Sequence, residues 1–194
     1  MSSTGAPNQH SFKTMLFSDC ARYRPTVRPS WLQVALLLPV HPGLLASVFL
    51  RLQQVLYRSG QVKLAWYTRT LCGFLTGADF VPGADVGLGV MFAHPVGMAI
   101  GFGSKVGDNA TFAGSVVLGV RDPEGEEVYA TLGEGVFMGA HAVVLGGVTI
   151  GDNALVGANS VVGSDVAANA VVLGVPAKQV GRRPAPGAAR AVDS

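Results

Sequence analysis

Residues 132–163 read LGEGVFMGAHAVVLGGVTIGDNALVGANSVVG, and an aliphatic residue, usually followed by a glycine, returns at every sixth position. The pairs are Leu132-Gly133, Met138-Gly139, Val144-Leu145, Ile150-Gly151, Val156-Gly157 and Val162-Gly163. Four places after the later aliphatics come Ala142, Val148, Ala154, Ser160 and Val166. A strand alternates with period two and a helix turns every 3.6 residues, so neither produces a period of six. A prism with three flat sides does. Each hexad makes one short strand and one corner, and three hexads close one turn. The aliphatic residue fills the interior, and the glycine after it lets the backbone take the corner. Stacked turns bury one continuous apolar column.

Upstream, the frame continues through Ile100-Gly101, Val106-Gly107, Phe112-Ala113 and Leu118-Gly119. Together the hexads predict a mainly β fold, a left-handed parallel β-helix of about five turns. The frame breaks twice. Phe80, Val86 and Phe92 form an earlier frame that reaches Ile100 only with two extra residues, which fall within 92–99. The second break separates Leu118 from Leu132 and holds Arg121-Asp122-Pro123-Glu124-Gly125-Glu126-Glu127-Val128-Tyr129, the most charged stretch of the domain. It predicts a loop over 119–131, expelled from the prism. Regular coils offer a smooth wall, so function is expected at the interruptions.

Glycine marks the domain boundary. Residues 1–76 contain four of the 26 glycines, and the rest follow. Residues 11–76 therefore read as a small α-helical segment, 77–177 as the β-helix, 1–10 as a disordered N-terminus and 178–194 as a basic C-terminal tail. Helices are expected over 11–22, from a Ser30 cap to Leu38, over 44–58 and over 61–75. The third carries an apolar stripe of Leu45, Val48, Phe49, Leu52, Val55 and Leu56, and the fourth should bury Leu64, Trp66, Leu71 and Phe74. The net charge of +2 hides an asymmetry: residues 1–76 carry +7, 77–177 carry −8 and the tail +3. The basic charges are scattered at helical spacing without an aromatic platform, which reads as a solvated helix face opposite an acidic surface rather than a nucleic-acid site. The apolar run 31–50 is cut by Pro39, Pro42 and Gly43, so no membrane span is expected. The N-terminus lacks the pattern of a signal peptide. Two cysteines, Cys20 and Cys72, make no disulfide framework, and a cytoplasmic setting follows.

At the first break the residues carry a family resemblance. The stretch Ala84-Asp85-Val86-Gly87-Leu88-Gly89-Val90-Met91-Phe92-Ala93-His94-Pro95-Val96-Gly97 resembles the active-site coil of the serine O-acetyltransferases, members of the hexapeptide-repeat acyltransferase superfamily. The loop after Val117-Leu118-Gly119, the stretch 148–154 and the close Gly174-Val175-Pro176-Ala177-Lys178 are similar too. So are Leu50-Arg51-Leu52 and Tyr57-Arg58-Ser59-Gly60 in the helical segment, and the resemblance covers residues 40–182.

The resemblance implies transfer of an acetyl group from acetyl-CoA to a small hydroxyl-bearing acceptor, with no metal. It makes His94 the general base and Asp79 the carboxylate that orients its imidazole. Asp79 and His94 are 15 residues apart, close to one 18-residue coil, so neighbouring turns should bring them together. It implies a groove between subunits for acetyl-CoA against Gly119, Ala140, Gly157 and Ala158. Lys178, Arg182 and Arg183 are candidates for the CoA phosphates, or simply a basic tail. It implies a homotrimer, or a dimer of trimers, the latter made less expected by the short helical segment.

Three departures concern the acceptor. Ala93 stands where the family has a carboxylate, residues 30–60 contain no Asp or Glu, and Val128 and Tyr129 stand where the family has an arginine–histidine pair. Arg121 could reach in from the loop to replace that arginine. Without partners for an ammonium and a carboxylate, free serine should bind poorly, and an acceptor that is not an amino acid, such as a sugar or a secondary metabolite, is the alternative. A γ-carbonic-anhydrase-like metalloenzyme needs three converging histidines, and the prism has only His94 and His141. A non-catalytic scaffold leaves Asp79 and His94 unexplained.

Overall fold

The structure, a computed structural model, describes residues 10–122 and 124–184; the expected disorder of residues 1–9 and the tail from 185 lie outside the described residues. Four helices precede the prism: α1 (Phe12–Tyr23), α2 (Trp31–Leu37), α3 (Pro42–Arg58) and α4 (Val62–Thr76). Ser11 and Ser30 cap α1 and α2 by accepting from Thr14 N–H and Gln33 N–H. Gly77, left-handed at φ 71°, ends α4 and starts the first coil. None of these helices is long and apolar enough to cross a membrane.

The prism has the three faces that the hexads require. One carries β1 (Asp79–Phe80), β4 (Ala99–Ile100), β7 (Val117–Gly119), β10 (Val143–Leu145) and β13 (Val161–Val162) in that order. The second carries β2 (Asp85–Val86), β5 (Lys105–Val106), β8 (Thr131–Leu132) and β11 (Thr149–Ile150). The third carries β3 (Met91–His94), β6 (Thr111–Gly114), β9 (Phe137–Met138), β12 (Leu155–Val156) and β14 (Ala170–Leu173). Every pairing among these strands is parallel. A last strand, β15 (Lys178–Arg182), returns antiparallel on β14. The start of the expected basic tail is thus part of the sheet, and it covers the edge that β14 would otherwise expose.

Registers locate the breaks. Asp79 pairs with Ala99, 20 positions on, and Val117 with Val143, 26 on, while Val143 pairs with Val161 at the regular 18. The surplus sits at corners, so the inward residues stay stacked. Phe80, Phe92 and Phe112 form the widest part of the column, with ring centroids 4.9 and 5.4 Å apart. Below them Ile100, Leu118, Leu132, Met138, Val144, Ile150 and Val156 are buried in one cluster.

The helices differ from the sequence expectation, and the difference matters for the site. The first coil has no coil before it, so its carbonyls need other donors. The polar faces of α3 and α1 supply them. Arg51, with no exposed surface, donates to Val86 C=O at 2.7 Å and Gly87 C=O at 2.6 Å. Its fork also grips the buried Asp19 of α1 at 2.7 and 2.8 Å. Gln54 donates to Val86 C=O, Arg22 to Gly89 C=O, and Tyr23 Oη to Phe92 C=O. Asp19 in turn accepts from Val90 N–H. The expected stripe is therefore only partly inward: Phe49 and Leu56 are buried, whereas Leu45, Val48, Leu52 and Val55 are half-buried. Gly43 fits where a Cβ would come within 1.7 Å of Phe92 C=O, which lets α3 cross β3 at close range.

The fourth helix corrects the expectation further. It buries Ala65, Cys72 and Thr76, small groups that let it lie close to α3, and leaves Leu64, Trp66, Leu71 and Phe74 outward, Phe74 at 85% exposure. Nor are the basic side chains a merely solvated face. Arg22, Arg51, Arg58 and Arg69 all reach the prism, Arg58 to Asp85 at 2.8 Å and Arg69 to Asp79.

Arg51→Met should lower unfolding stability by about 3–5 kcal/mol, because it strands the buried Asp19 charge. The double variant Asp19→Leu/Arg51→Met should lose less than Arg51→Met alone. Urea unfolding followed by circular dichroism measures both.

Candidate functional site

The two extra residues of the first coil form the turn that follows β3. His94 is the last residue of that strand, and its imidazole is exposed at the edge between the third and first faces. Beneath it, Gly114 is its register partner, and a Cβ there would sit 3.2 Å from the His94 Cβ. Among the described residues the His94 side chain makes no hydrogen bond, so its ring nitrogens are open to a ligand. Ala93 lies beside it on the strand and contributes no charge.

Asp79 starts β1, across the corner from the His94 turn. Two backbone hydrogen bonds join the segments: Gly97 N–H donates to Gly77 C=O at 2.9 Å, and Asp79 N–H to Met98 C=O at 2.8 Å. The segments meet as the spacing predicted, but the expected Asp79–His94 hydrogen bond is absent. The Asp79 carboxylate is instead held by the Arg69 guanidinium, whose Nε donates to one oxygen and whose Nη2 donates to the other at 2.6 Å. The reason is the outward turn of α4, which aims Arg69 down at β1 rather than into solvent. Trp66, one turn earlier, stacks under the guanidinium at 4.9 Å. The hydrogen bonds to Asp79 raise the Arg69 pKa above its already high value, against the opposing effect of burial. Arg69 is the residue that the sequence reading missed beside Asp79. Its one signal was position, ten residues before Asp79 on a helix with no acid of its own.

The loop residues lie elsewhere. Gly119, Arg121 and Val128 stand at the far edge of the first face, where β7 leaves for the second. Arg121 Nη2 donates to Gly163 C=O, and Val128 packs over Gly147. With Gly146, Ser164 and Asp165 they line a cavity of about 500 Å³. Tyr129 folds down over Gly101 and Gly103, where its ring leaves no room for a Cβ. One chain therefore keeps Arg121, Val128 and Tyr129 across the width of the first face from His94. Arg121 does not reach the His94 turn within the chain.

The other predicted groove residues divide between edges. Ala140 and Ala158 follow β9 and β12 on the His94 edge. Gly157, beside Ala158, is buried under Leu173, whose Cδ2 would meet a Cβ at 1.8 Å, so it is packed by the chain itself. Lys178 pairs with Leu173 near that edge, whereas Arg182 pairs with Ala170 at the opposite end of β14. Arg183 there donates to Asn153 C=O. His141 is exposed in a left-handed conformation, φ 58°, two coils along the His94 edge. Gly97, Ser115 and Asn159 occupy the same corner of neighbouring coils with φ of 73°, 50° and 57°. Among the described residues no three His, Cys, Asp or Glu side chains come together as metal ligands.

Comparison with known proteins agrees with the fold. A family model described as "Bacterial transferase hexapeptide (six repeats)" matches residues 129–164. A serine acetyltransferase from Mycobacterium tuberculosis is 38% identical over 168 residues, which cover 86% of this chain and 72% of that protein. The structure of Neisseria gonorrhoeae serine acetyltransferase superposes with a TM-score of 0.79 at 33% identity, over 88% of this chain and 65% of that one. Soybean serine acetyltransferase complexed with serine gives a TM-score of 0.78 at 31% identity, over 88% and 70%. A serine acetyltransferase solved in complex with CoA gives 0.72 at 30%, over 86% and 68%. These likenesses do not favour the non-amino-acid acceptor expected from Ala93, Val128 and Tyr129.

Both cysteines are free and buried. Burial pushes the Cys72 thiol up to about 11, and burial also raises Cys20. At pH 8 only about one Cys72 in a thousand is thiolate. An aromatic disulfide reagent should therefore label neither cysteine within minutes in the native protein, and both in urea. Absorbance at the released thiolate checks this, and a null result leaves thiol release by the enzyme readable without correction.

Proposed function

The chain belongs to the serine acetyltransferase family, and from that premise we propose that it moves an acetyl group from acetyl-CoA to the hydroxyl of L-serine. The observation that carries this reading is His94, an exposed imidazole raised at the edge by the two-residue break, over a glycine that leaves room beside it. His94 takes the hydroxyl proton as the acceptor oxygen attacks the thioester carbon. The carbon–sulfur bond then breaks, and the imidazolium returns the proton to the departing sulfur. The products are an acetyl ester and a free thiol. Asp79, which the family resemblance casts as the carboxylate that orients the ring, accepts from Arg69 in this structure.

We also propose that three chains share the clefts. The His94 turn and the Arg121–Val128 loop lie at opposite edges of one face, so both can flank a single acceptor only if one chain's edge meets the next chain's. The outward apolar side chains of α4, Leu64, Tyr67, Leu71 and Phe74, recur at helical spacing and suit a contact between subunits. Ala140, Ala158 and Lys178 then form the small-walled, basic side of the acetyl-CoA groove. The free, buried cysteines fit a cytoplasmic site of action.

His94→Ala should cut thiol release from acetyl-CoA with L-serine by about 10²–10⁴-fold. CoA affinity, measured by calorimetry, should change little. Near-full turnover in His94→Ala would remove His94 from the mechanism.

Light scattering at micromolar concentration should give three chain masses. A monomer of full activity would refute the shared cleft.

A further inference from the structure

Along the edge that carries His94 the coils stack in register, which fixes the height of each corner residue. His94 pairs with Gly114 one coil on, and Phe112 of that coil pairs with Met138 of the next. His141 N–H donates to Gly114 C=O at 2.8 Å, so His141 hangs one coil below Gly114 and two below His94. Neighbouring strands of a ladder are about 4.8 Å apart, which puts His141 about 10 Å along the edge from His94. Its backbone is left-handed, φ 58°. At the corner between the second and third faces, Gly89, Asn109, Gly135, Asn153 and Asn169 hold that conformation, the residue types that adopt it most readily. The asparagines there also serve the fold: Asn109 Nδ2 donates to Glu134, and Asn153 Nδ2 to Asn169 at 2.8 Å. On the His94 edge the Ser115 hydroxyl donates to Val96 C=O at 3.0 Å. The His141 imidazole serves no such purpose. It is exposed, and it makes no hydrogen bond to a described residue.

We propose that His141 reads the pantetheine arm of the acetyl donor, its imidazole N–H donating to the carbonyl of the second amide counted from the sulfur. This rests on the acetyl-transfer reading, which sets the thioester at His94 and the arm along Ala140 and Ala158. An extended chain advances about 1.2 Å per bond, and the carbonyl carbon of the second amide is eight bonds from the sulfur, so it lies about 10 Å away. That length matches the two-coil step from His94 to His141. The first amide, about half as far out, passes Gly114, which has no side chain to offer. His141 thereby makes the edge sensitive to the length of the donor: a thioester that stops after its first amide reaches His94 but not His141.

The experiment uses the full chain and three acetyl donors with L-serine: acetyl-CoA, S-acetylpantetheine and S-acetyl-N-acetylcysteamine, which ends at the first amide. His141→Gly and His141→Leu are compared with wild type. Glycine suits the left-handed corner, so His141→Gly should melt no lower than wild type, and it decides the matter if His141→Leu does not fold. In both variants kcat/KM should fall by about threefold to tenfold for acetyl-CoA and S-acetylpantetheine, through KM, as the loss of one neutral hydrogen bond requires. For S-acetyl-N-acetylcysteamine it should change by less than about twofold. Calorimetry with CoA and with pantetheine should show the same fold-loss in binding. Equal losses with all three donors mean that the substitution disturbs the edge as a whole, and that result overturns the proposal. So does a KM for acetyl-CoA that is unchanged or lower in His141→Gly, or a wild type that binds neither CoA nor pantetheine. If wild type releases no thiol from any donor, yet binds CoA and pantetheine and loses both in the variants, the contact stands and the acetyl-transfer reading fails.

Discussion

A parallel β-helix must end somewhere, and at its first coil the carbonyls that would pair with a preceding coil have no strand to meet. Here Val86, Gly87, Gly89 and Phe92 turn those carbonyls toward the helices, and Arg51, Gln54, Arg22 and Tyr23 donate to them. Arg51 is the centre of this cap. It is wholly buried, yet its charge is balanced by Asp19 and its remaining donors are all used. An unpaired polar group in such a place costs far more than a satisfied one contributes, so the network behaves as a unit. The strand it caps runs directly into Ala93 and His94. The cap therefore fixes the coil that carries His94, and α4, packed on α3, is fixed with it.

The prism was legible because its signal is local and repetitive. Each hexad states its own inward residue and its own corner, and the two interruptions at 92–99 and 119–131 stand out against that regularity. That the Asp79 segment meets the turn after His94 followed from coil length. What did not follow was the partner each side chain chooses. Asp79 pairs with Arg69 because of the rotation of α4 about its axis, and no spacing in the sequence encodes that rotation. The same rotation left Leu64, Trp66, Leu71 and Phe74 outside. On α3 the apolar pattern was real, but it competed with the carbonyls of the first coil, which drew Arg51 and Gln54 inward. The strand Lys178–Arg182 was hidden by composition: its basic residues read as a tail, whereas β14 offers it an open edge to pair with.

The distribution of charge takes on meaning in this light. The basic helical third and the acidic prism meet at their joint through Arg58–Asp85 and Arg69–Asp79, both partly exposed. Such pairs add little to stability in water. Their value lies in direction: each holds a guanidinium at a defined place on the rim of the first coil. The far edge, with Arg121 over Gly163 and a cavity beside it, is built from a different coil and a different face. The molecule thus separates His94 from the loop by the full width of a sheet.

That separation depends on how this architecture tolerates extra length. Along the first face the chain returns after 20, 18, 26 and 18 residues, yet the inward column passes through all of these coils without a step. A coil that must return to the same register can only store its surplus at a corner. Insertions and deletions at 94–98 or 120–130 are therefore decoupled from folding, since they change the contour of a single rim and leave the hydrogen-bond ladder above and below intact. In such a chain, the contour of a rim can drift by changes in loop length while the core sequence stays constant, a freedom that a domain with tightly interlocked sheets and helices does not have.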